Sequence, residues 1–170
     1  MSDAPRAEDA ERDAPRAEDA ERDARAATAV SIRRVRETDA AAVAELNGQL
    51  GYPATAADVR ERLATIANIS SQAVFVACLA EDVIGWIDVA VTFHLQSQPF
   101  ALIGGLVVKD GHRGLRTGRR LCEAAEGWAR EQGVNVMRVT SRSSRSEAHR
   151  FYLRDGYQEV KISRVFEKAL

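Results

Sequence analysis

The chain is organised around Leu106-Val107-Val108-Lys109-Asp110-Gly111-His112-Arg113-Gly114-Leu115-Arg116-Thr117-Gly118-Arg119-Arg120. An apolar strand ends at Val108, a short loop carrying Gly and Arg follows, and an amphipathic helix begins near Thr117 or Gly118. A strand that turns directly into a helix leaves several backbone N–H groups without intrahelical partners. Glycine lets a ligand come close, and the positive end of the helix dipole adds attraction, so the stretch reads as an anion site. Taken alone, an ordinary strand-to-helix loop on a basic surface accounts for it equally well.

Charge is concentrated in the same place. The chain has a formal net charge of −1, yet Lys109, Arg113, Arg116, Arg119 and Arg120 gather around the loop, opposed only by Asp110. Such an excess favours an anionic ligand. The balancing acids lie at the start of the chain, where Asp3-Ala-Pro-Arg-Ala-Glu-Asp-Ala-Glu-Arg12 recurs unchanged as Asp13 to Arg22 and a third copy starts at Asp23. This repeat has no large apolar residue beyond Met1, so it cannot bury enough surface to offset the entropy of ordering. Residues 1–28 are therefore expected to be a disordered tandem-repeat tail and residues 29–170 one folded domain; a docking segment for a basic partner is the alternative reading of the tail.

Outward from the loop, Phe100–Val108 is apolar throughout, as a central strand is, and holds Gly104-Gly105, a pair that in a strand marks a bulge, a kink or a close approach to the backbone. Upstream, Ala73–Leu79 and Val83–Thr92 read as strands joined by a hairpin turn at Ala80-Glu81-Asp82, with a second turn around Gln96–Pro99. Val30–Arg36 alternates like a strand. Thr38 or Asp39 caps a helix to Leu50, and Thr55 caps another from Ala56 to about Ile66. Downstream, a helix ends at Gly133, Val134–Thr140 is a strand, Ser144–Asp155 a helix capped by Gly156, and Tyr157–Ile162 and Val165–Leu170 are closing strands. The sum is an α+β domain: a mixed twisted sheet of six to seven strands flanked by about four helices.

Several function classes drop out. No G-x-G-x-x-G or G-x-x-x-x-G-K-[ST] pattern is present. His94, His112 and His149 are too scattered for a metal site, and Cys78 and Cys122 read as reduced, buried thiols. Aromatic residues are not interleaved with the arginines, so no nucleic-acid partner is expected. No apolar run approaches a membrane span and the first residues lack a secretory signal's apolar core, which predicts a cytoplasmic protein without a membrane partner.

The element order, the loop and the segment Ala148-His-Arg-Phe151-Tyr152-Leu-Arg-Asp-Gly156-Tyr157 together resemble the GNAT superfamily of acyl-CoA N-acyltransferases over about residues 30–170. That superfamily's pyrophosphate loop has the form Gln/Arg-x-x-Gly-x-Gly/Ala; Arg113 and Gly118 match its ends, and Arg116 stands where the middle Gly is usual. Phe93-His94-Leu95, Arg113-Gly114-Leu115 and Ala148–Arg154 further resemble aminoalkylphosphonate N-acetyltransferases, and aminoglycoside-type small-amine acetyltransferases share much of this frame. The chain departs from the phosphonate enzymes at Gly105, where they carry a glutamate.

The resemblance implies an acetyl-CoA-dependent N-acetyltransferase that transfers the acetyl group directly to a primary amine of a small molecule, and it implies a homodimer. It implies cofactor contacts from Leu106, Val107, Val108, Arg113, Gly114, Leu115, Arg116, Thr117, Gly118, Arg119, Ala148, Phe151 and Tyr152. It implies Tyr152 as general acid and the backbone of Val107 and Val108 as oxyanion and thioester contacts. The base stays open among Asp88, His94, Glu81 and a water chain, because no carboxylate occurs between Asp88 and Asp110. That gap leaves a second function standing: a non-catalytic acyl-CoA-binding or protein-interaction module on the same fold.

Overall fold

The computed structural model describes residues 29–170; the tandem repeat lies outside the described residues. The chain divides into two compact units, one ending at Arg138 and one from Val139 to Leu170. The first holds β1 (Val30–Arg34), a short 3-10 turn (Glu37–Asp39), α1 (Ala40–Leu50), α2 (Ala56–Ala67), β2 (Gln72–Leu79), β3 (Asp82–His94), β4 (Ser97–Val108) and α3 (Thr117–Glu131). β5 (Met137–Val139) spans the division, and α4 (Ser146–Arg154) belongs to the second unit. One five-stranded sheet runs in the order β1-β2-β3-β4-β5.

Local chemistry sets the element ends. α1 stops where Gly51 takes a left-handed conformation (φ 95°) that L side chains disfavour. α2 opens with a reciprocal capping box: Asp58 N–H donates to Thr55 Oγ1 (3.1 Å) and Thr55 N–H to Asp58 Oδ2 (2.8 Å). β1 and the start of α1 are tied by Arg33, whose Nη1 and Nη2 donate to the two Asp39 oxygens at 2.7 and 2.8 Å. Asp39 is only 7% exposed and also accepts from Arg36 N–H at 2.7 Å. Arg33's hydrogen bonds hold this carboxyl below the ordinary carboxylate range.

β2, β3 and β4 pair antiparallel, and period-2 alternation gives the sheet two apolar faces. On one, Val76, Trp86 and Val107 pack with Val43, Leu46 and Val59 from α1 and α2. On the other, Gly85 lies so close to Leu121 of α3 that a Cβ there would come within 3.3 Å of it. α3 buries Leu121, Cys122, Ala125, Trp128 and Ala129 along one stripe. Both cysteines are buried, and neither is in a disulfide with the other.

The paired glycines do make a bulge. Asp88 faces Gly105 and Val89 faces Ile103, so Gly104 has no partner and the register shifts by one residue. β4 has neighbours on both sides, although β3 holds the middle of the sheet.

Three expectations are corrected. The sheet has five strands, not six to seven, because Tyr157–Ile162 and Val165–Leu170 form no strands. Their alternation is strand-like, but Val160, Ile162, Val165 and Phe166 are exposed; strand propensity expresses packing on a neighbour and yields no strand without one. Val134–Thr140 shrinks to Met137–Val139, since buried Val134 spends its N–H on the Ala129 carbonyl at the end of α3. The second turn is Leu95-Gln96, since His94 faces Ser97, and Pro99 lies inside β4.

Replacing Asp39 by Asn should cost about 2–3 kcal/mol in urea unfolding, the scale of charged hydrogen bonds lost from a buried group. Because the folded carboxyl titrates low, wild-type stability from this pair is present above the ordinary carboxylate range and is lost as pH falls through the lowered value. The Asn variant should lack that acid limb.

Candidate functional site

The loop between β4 and α3 is built from left-handed turns. Gly111 (φ 81°), Gly114 (φ 98°) and Arg116 (φ 56°) all have positive φ, and Leu115 is buried between the last two as the loop's anchor. Left-handed residues of this kind build the backbone concavities that turn N–H groups toward an anion. Arg116 is the N-cap of α3, so the N–H groups of Thr117, Gly118 and Arg119 make up its first turn, which has no acceptor within the helix. Thr117 is only 2% exposed and its hydroxyl has no hydrogen-bond partner.

The cations around the loop are mostly engaged. Arg113 pairs with Asp110 (2.9 Å), Arg119 with Glu123 (2.9 Å) and Lys109 with Glu45 (3.3 Å), while Arg120 donates to the Val30 carbonyl. Arg116 is exposed at the lip of the turn, its guanidinium outside these pairs.

A residue that the sequence did not single out fixes where the loop starts. Gln49 on α1 donates from Nε2 to the Val108 carbonyl (2.7 Å) and accepts from Asp110 N–H at Oε1 (3.0 Å). A partner 59 residues away along the chain leaves no local pattern to find. Lys109 N–H donates to Ile84 O (2.8 Å), which makes Val107 and Trp86 the next hydrogen-bonded pair of the ladder. Val107 thus spends its N–H on β3, whereas Val108 directs its N–H and C=O to the other edge. β5 starts beside Ala101, whose N–H donates to Val136 O (2.8 Å), and is three residues long, too short to run along Leu106–Val108.

Of the three side chains considered as base, the fold sets Asp88 apart. Glu81 is exposed in the β2–β3 turn, and His94 is exposed at the far end of β3, stacked on Phe100 (5.5 Å between centroids). Asp88 lies on the α1–α2 face against the bulge and accepts the Gly104 N–H; burial pushes its carboxyl up from the ordinary value. Beside it, Trp86 is 8% exposed and its indole N–H has no partner. An open groove of about 490 Å³ runs between α2 and Gln72 and contains none of the expected site residues.

In the second unit, Ala148, Phe151 and Tyr152 share one side of α4 at helical spacing. Tyr152 meets Phe151 and Tyr157 edge-on, with centroids 5.1 and 5.4 Å apart. Tyr157 N–H donates to Tyr152 O (3.0 Å) across left-handed Gly156 (φ 91°), closing the helix. His149 Nε2 lies 3.0 Å from Arg142 O.

The frame is an α+β sheet whose bulged strand feeds a loop and a helix N-terminus. Residues 41–157 match the model of the Acetyltransferase (GNAT) family. The chain belongs to this family of acetyl-transferring enzymes. It is similar to the aminoalkylphosphonate N-acetyltransferase of Salmonella typhimurium, with 37% identity over 90 residues, 52% of this chain and 57% of that protein. The chain thus spans little more than half the length of that curated relative. Among solved structures it superposes on the aminoglycoside N-acetyltransferase AAC(6')-Iy bound to the bisubstrate analogue CoA-S-monomethyl-acetylneamine (TM-score 0.74, 18% identity, 83% of this chain and 99% of that one). It superposes equally on a transcriptional regulator from Bacillus halodurans C-125 (TM-score 0.74, 23% identity, 82% and 99%). At such identities the shared property is the fold.

Two substitutions test the geometry. Arg116→Gly should raise stability by about 1 kcal/mol, since glycine occupies the left-handed N-cap without the steric cost borne by an L side chain; a lower melting temperature would refute this. Gly105→Ala would put a Cβ 2.5 Å from the Trp86 ring, and calorimetry should register the overpacking as about 1–3 kcal/mol of lost stability.

Proposed function

We propose that this protein transfers an acetyl group from acetyl-CoA to a primary amine of a small molecule by direct attack within a ternary complex. The observation that carries the reading is the β4–α3 junction: left-handed Gly114 and Arg116, the N-terminus of α3 and the orphaned Thr117 hydroxyl come together in one turn suited to an anion. The loop residues Arg113 to Arg119 then hold the pyrophosphate, with Arg116's forked guanidinium available to it. Leu106 to Val108 run along the acyl arm, and Ala148, Phe151 and Tyr152 contribute from α4.

Of Val107 and Val108, Val108 is the backbone donor to the developing oxyanion, because ladder alternation leaves its N–H on the edge away from β3. Tyr152 supplies the proton to the departing thiolate. The amine must arrive neutral: an alkylamine of pKa near 10.4 costs about 4–5 kcal/mol to deprotonate at pH 7, so a base is required. Buried thiols at Cys78 and Cys122, not joined in a disulfide, suit a reducing compartment, and we assign the enzyme to the cytoplasm. No helix among the described residues is long and apolar enough to cross a membrane.

Acetyl-CoA should raise the melting temperature, and a panel of primary amines should release free thiol from it. Tyr152→Phe should lower kcat by roughly 10²–10³ while leaving acetyl-CoA affinity unchanged. Cofactor binding without thiol release from any amine would instead support a non-catalytic acyl-CoA-binding module.

A further inference from the structure

The geometry points to Asp88 as the general base, acting from β3 across the β4 bulge; this rests on the acetyl-transfer reading above. Asp88 is the register partner of Gly105, and the bulge delivers the Gly104 N–H to its carboxylate. Space for the carboxylate exists only because both β4 residues are glycines. A Cβ on Gly104 would lie 2.7 and 2.9 Å from the Asp88 oxygens, and one on Gly105 would lie 2.5 Å from the Trp86 ring.

β2 and β4 carry no carboxylate, and β3 carries only one other, Asp82, at its exposed start. Gly104 is open to solvent while Asp88 is half-buried, so a small amine can reach an otherwise enclosed carboxylate. Gly105 stands three residues, about 10 Å, before Val108 on the same strand. That span accommodates an acceptor amine and one bridging water between base and oxyanion donor.

Burial raises this carboxyl and the Gly104 N–H lowers it, burial being the larger influence. The other ionisable side chains on the neighbouring elements are Glu45 on α1, Asp58, Arg60, Glu61 and Arg62 on α2, and Asp82 and His94 on β3 itself. A raised pKa brings a carboxylate closer to the working pH of a base. In the step, the acceptor ammonium gives one proton to Asp88. The neutral nitrogen then forms the N–C bond at the thioester carbonyl, and the C–S bond breaks with its electron pair leaving on sulfur. Tyr152 protonates the sulfur, the second nitrogen proton restores the Tyr152 hydroxyl through water, and Asp88 returns its proton to solvent.

The full-length protein is assayed with acetyl-CoA and its best amine from the panel. Asp88→Asn should lower kcat at least 100-fold, keep the thermal shift produced by acetyl-CoA, and abolish the rising limb of the kcat/KM–pH profile; Asp88→Glu should recover part of the rate. Gly104→Ala should lower kcat at least tenfold although Asp88 is still present. The Asn variant should also melt higher at neutral pH, because a carboxyl with a raised folded pKa loses stability as pH rises through that value. The wild-type profile needs no variant: its rising limb should lie above the ordinary carboxylate range. Asp88→Asn turnover within threefold of wild type with the same pH limb, or a wild-type profile without that limb, would overturn the base alone. Wild-type failure on every amine would overturn the acetyl-transfer reading, and the base with it.

Discussion

One extra residue in β4 governs the geometry of the site. Before the bulge, Ala101 turns its N–H toward β5; after Gly104, Val107 pairs with β3 and Val108 turns to the opposite edge. A strand without the insertion would keep the first parity to its end, and every group presented beyond it would face the other way. The same insertion brings Gly105 under Trp86 and opposite Asp88, on the α1–α2 face. Glycine is required twice for steric reasons alone. The edge that Val108 faces and the seat of the half-buried Asp88 carboxyl therefore follow from a single register shift.

Beyond β4, the chain must leave the sheet at a fixed point and enter α3 with its first turn uncovered. Gln49 supplies the fixed point by holding both Val108 O and Asp110 N–H from α1. α1 is in turn anchored to β1 by the Arg33–Asp39 pair, so the loop is referenced to the sheet through two polar contacts as well as apolar packing. The loop carries a cost that folding alone does not demand: a non-glycine residue in a left-handed N-cap, and a buried hydroxyl without a partner. Strain and unsatisfied polarity collected in one turn are not explained by core packing, and they support the anion site proposed above.

Much of this was legible in the chain. Helix starts at Thr55 and near Thr117, the stop at Gly51, the Gly156 cap and the bulge at Gly104-Gly105 each follow from one or two residues with a local conformational demand. The closing strands were misread because the alternation of residues 157–170 is real while a strand exists only as half of a pair. Asp88 was visible only as one acid among three side chains, since nothing local separates it from Glu81 or His94. Gln49 could not be seen at all.

Read alone, the chain yields the order of most elements of the first unit, the glycine- and arginine-rich turn that joins a strand to a helix, and the family resemblance. These are local properties: backbone conformation, helical period and motif spacing act within a few residues. Strand pairing and packing settle which edge Val108 faces, which acid is half-buried against the bulge and which side chain pins the loop. Each of these depends on register and on contacts between residues 17 to 61 positions apart, and burial and ladder parity exist only once the strands are paired.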